Sequence, residues 1–200
     1  MDFAAILARV QKLILSPATE WDVIAGEDAD MQRIYMNYVG PLIIAAALAT
    51  AIGMSVIGIN FGFGTYRLPA GAALGQAILQ IVLGLAGVYI TGLVINALAP
   101  QFGATPDAGQ AFKVAAYAPT ASWVASLVTI LPQLSIVALL GGLYSLYLLY
   151  VGLPKLMKPA EDKALVYTLA IIGTMIVIYI VIGFLAGMMV PSVTPIMRVN

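Results

Sequence analysis

Five carboxylates, Glu20, Asp22, Glu27, Asp28 and Asp30, fall within eleven residues of a chain that holds only nine Asp and Glu altogether. Such a cluster can dock a partner, or it can do no more than solvate a connector, which is what runs of charge usually do. Other reactive side chains are scarce. Cys and His are both absent, which removes thiolate nucleophiles, disulfides, imidazole bases and the usual zinc and haem ligands. Lys113 heads an apolar run, yet no sequence context sets a serine against it as a nucleophile-base pair requires. Its plainer reading is a stem in the apolar layer with the ammonium reaching the surface. The segment GFGTYRLPAG carries glycines but lacks the Lys of a phosphate-binding loop. No catalytic residue, cofactor or metal is expected.

Inside the apolar runs the polar groups are few, and unpaired amides are expensive in hydrocarbon. Gln76 and Gln80 stand one helical turn apart and must face the same way, either bonding another helix or touching a solute. Tyr144, Tyr147 and Tyr150, at i, i+3 and i+6, read as interfacial anchors, with a hydroxyl-lined ligand site as the sharper alternative. Trp123 in mid-run reads as packing. None of the apolar runs contains Asp or Glu. Proton-coupled transport relies on intramembrane carboxylate or His relays, and intramembrane aspartyl proteolysis needs two Asp, so the residues for both are missing.

These groups must be positioned by elements that live in lipid. Hydrophobic residues make up 62% of the 200 and charged ones 9%, with mean hydropathy +1.01, so polar groups cannot cover the surface in water. Net charge is zero, which argues against nucleic acid as a partner. The expected fold is all-α: a five-helix polytopic membrane domain over 41–200, preceded by an amphipathic leader over 1–40. In the leader, Phe3, Ile6, Leu7, Val10 and Ile14 form one apolar face, with Arg9 and Lys12 available to anionic headgroups, so residues 1–15 are expected along the cytoplasmic membrane surface or against the bundle. Asp2, Arg9 and Lys12 break any signal-peptide core, so the segment reads as retained. Ser16 and Pro17 then open a second short helix, with Trp21, Ile24 and Ala25 on one side and Glu20 and Asp22 facing away.

The five spans are expected at 41–60, 74–98, 112–131, 134–153 and 165–190, each near the ~20 residues that a bilayer needs. The Pro132-Gln133 corner makes the third and fourth a tight antiparallel hairpin. A cytoplasmic N-terminus places Arg9, Lys12, Arg33, Lys113, Lys155, Lys158 and Lys163 inside and only Arg67 and Arg198 outside, so the C-terminus is expected on the far side. Small residues recur at four-residue spacing: Ala45, Ala49 and Gly53; Ala73 and Ala77; Ala121 and Ala125; Gly141 and Ser145; Gly183 and Gly187. They suit packing within the bundle or, most plainly for Gly183 and Gly187, a homo-oligomer face.

The stretch LSPATEWDVIAGED, followed by a Gly-Pro pair and five spans, resembles the bacterial branch of the Yip1 family over nearly the whole chain. Eukaryotic members carry Asp-Leu-x-Gly-Pro before the first span; here Asn37-Tyr38-Val39-Gly40-Pro41 stands in that place, and only Gly40 and Pro41 match. A Gly-Tyr-x-x-x-Pro motif in the third span is answered by Ala116-Tyr117-Ala118-Pro119, which keeps the Tyr and brings the Pro two residues early. The eukaryotic relatives' role in vesicle traffic and small-GTPase binding is not implied, because the acidic motif residue is missing. The resemblance implies an integral protein of a bacterial inner membrane.

The sequence thus points to a membrane-organising or partner-docking component without a catalytic site. Its expected partners are the bilayer, a second copy of itself, or a cytoplasmic or membrane protein. The alternative is a passive channel or small-solute permease, with Gln76, Gln80, Tyr117 and Trp123 along one path.

Overall fold

The computed structural model describes residues 2–60, 62, 64–189 and 196–198, with side-chain surroundings described as far as residue 181 except at 179. The helices, in chain order, are α1 (Phe3–Leu15), α2 (Pro17–Gly26), α3 (Met31–Ile34), α4 (Gly40–Ile52), α5 (Ala70–Leu98), α6 (Ala108–Tyr117), α7 (Thr120–Ser126), α8 (Ser135–Met157) and α9 (Ala164–Met189). Aspartates open three of them. Asp2 accepts from the amides of Ala4 and Ala5, Asp30 from Arg33 and Asp107 from Gln110, each satisfying donors that a helix start leaves open.

Among the described residues, three helical runs are long and apolar enough to cross a membrane: Met31–Ile57, Ala70–Phe102 and Pro132–Met157. Their outer faces carry Leu74, Ile78, Val82, Leu139, Leu140 and Leu143 in the open, an arrangement stable against lipid and costly in water. The fold is helical, with, among the described residues, one small sheet of strand order β1 (Ile59–Asn60), β2 (Thr65–Arg67), β3 (Ile196–Arg198), all antiparallel. The glycine-bearing segment GFGTYRLPAG thus contains β2, which pairs back on β1. Gly58, at φ +77, makes the corner into it, and a Cβ there would meet the Tyr66 carbonyl at 2.4 Å.

The first span does not begin at Pro41. Helix runs unbroken from Met31 to Ile57, through a wide π turn at Tyr35–Val39. Inside a helix, Pro41 lacks the amide for an ordinary bond and crowds the carbonyl four residues back; a π turn accommodates both. Gly40 donates to the Tyr35 carbonyl across that turn, and a Cβ there would lie 2.9 Å from the same oxygen. The Gly40-Pro41 pair thus marks a bulge within a helix rather than the start of one.

The expected third span, 112–131, is not one helix. It divides into α6 and α7 at Ala118-Pro119 and finishes in a 3-10 turn, Leu127–Ile130. Pro119 has no amide to give to the Ala115 carbonyl, which ends α6. The hairpin with the following helix does form: α7 lies along α8, with a Cβ at Gly141 falling 2.3 Å from that of Ala125 and 2.7 Å from the Ala121 carbonyl. The Ser145 hydroxyl accepts from the Ser122 amide at 2.9 Å. Ala73, Ala77, Ala49 and Ala121 are buried, so these small residues pack within the chain. Gly183 and Gly187 lie in α9, but their surroundings fall outside the described residues.

Candidate functional site

The leader residues Ile6, Val10, Leu13, Trp21 and Ile24 belong to the same core as Phe112, Tyr117, Leu149, Leu153 and Tyr167. Helices α1 and α2 turn sharply at Ser16 and lie across one end of the bundle, where α5 and α8 finish and α6 and α9 begin. The apolar face of α1 divides: Ile6, Val10 and Leu13 pack inward, while Phe3 and Leu7 are exposed at 70% and 45%.

Side chains from the bundle hold this leader by its helix ends. Lys113 is 1% exposed. Its Nζ donates to the carbonyls of Ile24 and Glu27 at 2.7 Å each and of Ala25 at 3.3 Å, and the Gln110 amide reaches Ala25 at 3.1 Å. These carbonyls lie at the C-terminus of α2, where the helix leaves acceptors unpaired and its dipole favours a cation. The ammonium therefore does not reach up to the surface as the sequence suggests. Tyr144, read as an interfacial anchor, donates to the Ile14 carbonyl at the end of α1, 2.7 Å away; Tyr147 and Tyr150 stay exposed. Trp21 is fully buried against Gly152, where a Cβ would come within 2.3 Å of the indole.

The acids divide as well. Glu20, expected to face away, is 4% exposed. It and Glu27 both bind the Arg9 guanidinium, Glu20 at 2.6 Å. Burial of Arg9 works to lower its pKa, but the hydrogen bond and charge of Glu27, with the charge of Glu20, outweigh it and hold the pKa above the ordinary value. Arg9 is thus turned into the protein, 5.6 Å from the Tyr117 ring centre, and not towards headgroups. Asp22, Asp28 and Asp30 remain exposed, Asp22 paired with Lys155 at 2.5 Å.

Between α1, the loop after α2, and the start of the Met31–Ile57 run lies an open cleft of about 740 Å³, with Arg9, Glu27, Asp28, Arg33, Tyr38 and Tyr117 on its walls. The Tyr38 and Tyr117 rings meet at 4.8 Å. The Tyr38 hydroxyl pairs with Thr120 at 2.8 Å, and Thr120 donates to the Tyr117 carbonyl at 2.6 Å, which ties the wall of the cleft to the Pro119 break. Among the described residues no group of three or more acids is set to hold a metal.

Of the residues singled out from the sequence, Tyr117, Glu27, Asp28 and Asp30 line this cleft, and Glu20 reaches it through Arg9. Gln76 and Gln80 do not. Both are exposed on α5, and neither bonds another helix among the described residues. Trp123 is half-buried against the core. The sequence reading passed over Thr120 and Gly152, and gave Trp21 and Tyr38 no part in a site. The available signal was Lys113 itself, a cation in an apolar run that demands oxygen partners.

The Yip1 domain family model matches residues 12–183. Over 166 residues the chain is 29% identical to the inner membrane protein YohC of Escherichia coli (strain K12), an alignment covering 81% of this chain and 85% of that protein. The same identity and coverage hold for YohC of Escherichia coli O6:H1. No solved structure matches. With the match running from within α1 to well along α9, the chain belongs to the Yip1 domain family.

Proposed function

We propose that this protein is an integral inner-membrane component without catalytic activity that crosses the bilayer five times, keeps its leader in the cytoplasm, and docks a partner protein at the leader-capped end. Inner-membrane residence follows from its relatives' name and its apolar helices, and orientation from the bias of seven basic residues against two. One observation carries the docking reading: the leader is fastened by its helix ends, so its exposed acids Asp22, Asp28 and Asp30 stand on a rigid base. A partner then need not pay to order them. Glu20 and Glu27 hold Arg9 and serve the base rather than the surface.

The test is photocrosslinking in cells from a probe at Val23, which is 48% exposed, with and without Asp22→Asn and Asp28→Asn. A discrete crosslinked protein that disappears in the double variant bears the reading out, and a product unchanged by it sinks the docking role. Cysteines at Lys158 and Arg67 should label from opposite sides of the membrane; labelling of both from outside overturns the orientation.

A further inference from the structure

We propose that the leader is a re-entrant hairpin whose corner, residues 15–17, enters the hydrocarbon of the adjoining leaflet and packs against lipid acyl chains. It rests on residence in the membrane, and neither on the side that the leader faces nor on a docked partner. Helices α1 and α2 run antiparallel: Asp2 lines the same cleft as Glu27 and Asp30, and Arg9 bridges Glu20 and Glu27. Helix α2 then follows α8 in the same direction, with Ile14 at Tyr144, Trp21 at Gly152 and Asp22 at Lys155.

Those contacts set a depth. Lys155 and Lys158, at the end of α8, belong among the headgroups. Tyr144 lies eleven residues before Lys155, about 16 Å at 1.5 Å per residue, which is close to half of a hydrocarbon layer of about 30 Å. No tyrosine side chain is that long, so the Ile14 carbonyl that Tyr144 binds stays below the headgroups. Counted along α2, Leu15 is seven residues from Asp22, which again sets it about 10 Å down. Helix α1 also reaches α7, which starts only after the full length of α6.

The corner suits that place. Residues 13–19 carry no charge. Leu15 is 78% exposed, at the depth where Leu143, Leu146 and Tyr147 of α8 are exposed too, so the hairpin continues the lipid-facing surface of α8. Backbone groups in hydrocarbon need partners inside the protein. The Ile14 carbonyl accepts from the Tyr144 hydroxyl at 2.7 Å, the Ser16 amide donates to the Lys12 carbonyl at 2.8 Å, and Pro17 has no amide to satisfy. Side chains lean towards the start of their helix, which on α1 carries the Lys12 ammonium up to the headgroups. Glu20 is turned inside onto Arg9 instead of facing lipid.

The chain has no cysteine, so a nitroxide can be placed singly through Phe3→Cys, Leu7→Cys, Leu15→Cys or Asp28→Cys, all at exposed positions. The experiment measures collision of each label with oxygen and with a water-soluble nickel chelate, by electron paramagnetic resonance on the full chain in nanodiscs of phosphatidylethanolamine and phosphatidylglycerol. The oxygen-to-nickel ratio should be severalfold higher at Leu15 than at Asp28, and depth should increase from Phe3 through Leu7 to Leu15. Equal depth at the three α1 sites would show a helix lying flat on the surface. A Leu15 label as open to nickel as the Asp28 label would put the corner in water. Either result overturns the proposal.

Discussion

The two ends of the molecule are closed by different means. At the leader end, single side chains reach between segments distant in sequence and bond carbonyls that helix termini leave open: Lys113 to α2, Tyr144 to α1. At the opposite end, closure depends on backbones coming near one another. Gly53 lets its helix approach the Thr129 carbonyl, where a Cβ would sit at 2.2 Å; Thr50 meets Thr129 at 2.9 Å, and the three short strands pair by ladder bonds. A short leader with a modest apolar face therefore joins a core only because the bundle supplies its caps. Side-chain closure is also the more fragile kind, since one atom group removed undoes it.

If the ends are independent, damage at one should leave the other intact. Gly152→Leu should have the largest effect, because any side chain there takes the place of the buried Trp21 indole; losing a buried aromatic costs about 3–5 kcal/mol. Thermal unfolding in detergent should fall accordingly, and hydrogen exchange should rise over 3–26 while residues 58–67 keep their protection. Equal loss at both ends would show that they fold as one unit. Lys113→Met comes next: it keeps the stem but leaves the α2 carbonyls without their donor, at about 1–3 kcal/mol. Faster exchange confined to 17–30 is expected, and unchanged exchange would mean that Trp21 alone holds the leader. Asp22→Asn should have the smallest effect. Its side chain is 65% exposed, and exposed ion pairs contribute at most about 1 kcal/mol; a larger loss in the melting temperature would place surface charge among the fasteners.

Much of this fold is legible in the residues. Apolar runs mark α5, α8 and α9 to within a few positions, but they miss the start of the first long helix, which begins at Met31 and not at Pro41. The Pro132-Gln133 corner correctly brings α7 against α8. Other features depend on contacts across the chain. The periodicity of Phe3, Ile6, Leu7, Val10 and Ile14 fixes an apolar face, but not that the bundle takes Ile6, Val10 and Leu13 and leaves Phe3 and Leu7 exposed. Glu20 looks solvated until α1 and α2 fold back and bring Arg9, eleven positions away, to its carboxylate. Hydropathy averaged across 112–131 hides Pro119, because one missing amide hardly alters a mean yet ends a helix. At the cleft, Tyr117 and the acids of 27–30 are legible as residues of interest, but their convergence is not, since it depends on the seat beneath Trp21.

That seat has a consequence in time. Tyr144 lies 130 positions beyond the Ile14 carbonyl that it caps, and Lys155 lies 133 beyond Asp22. At the 5–20 residues per second of ordinary synthesis, the leader is made roughly 7–25 s before the groups that receive it. Through that interval its Trp21 and Leu13 have no place to go within the chain. The leader is thus made well before the groups that seat it, and α8 must be in position before it can close over the bundle.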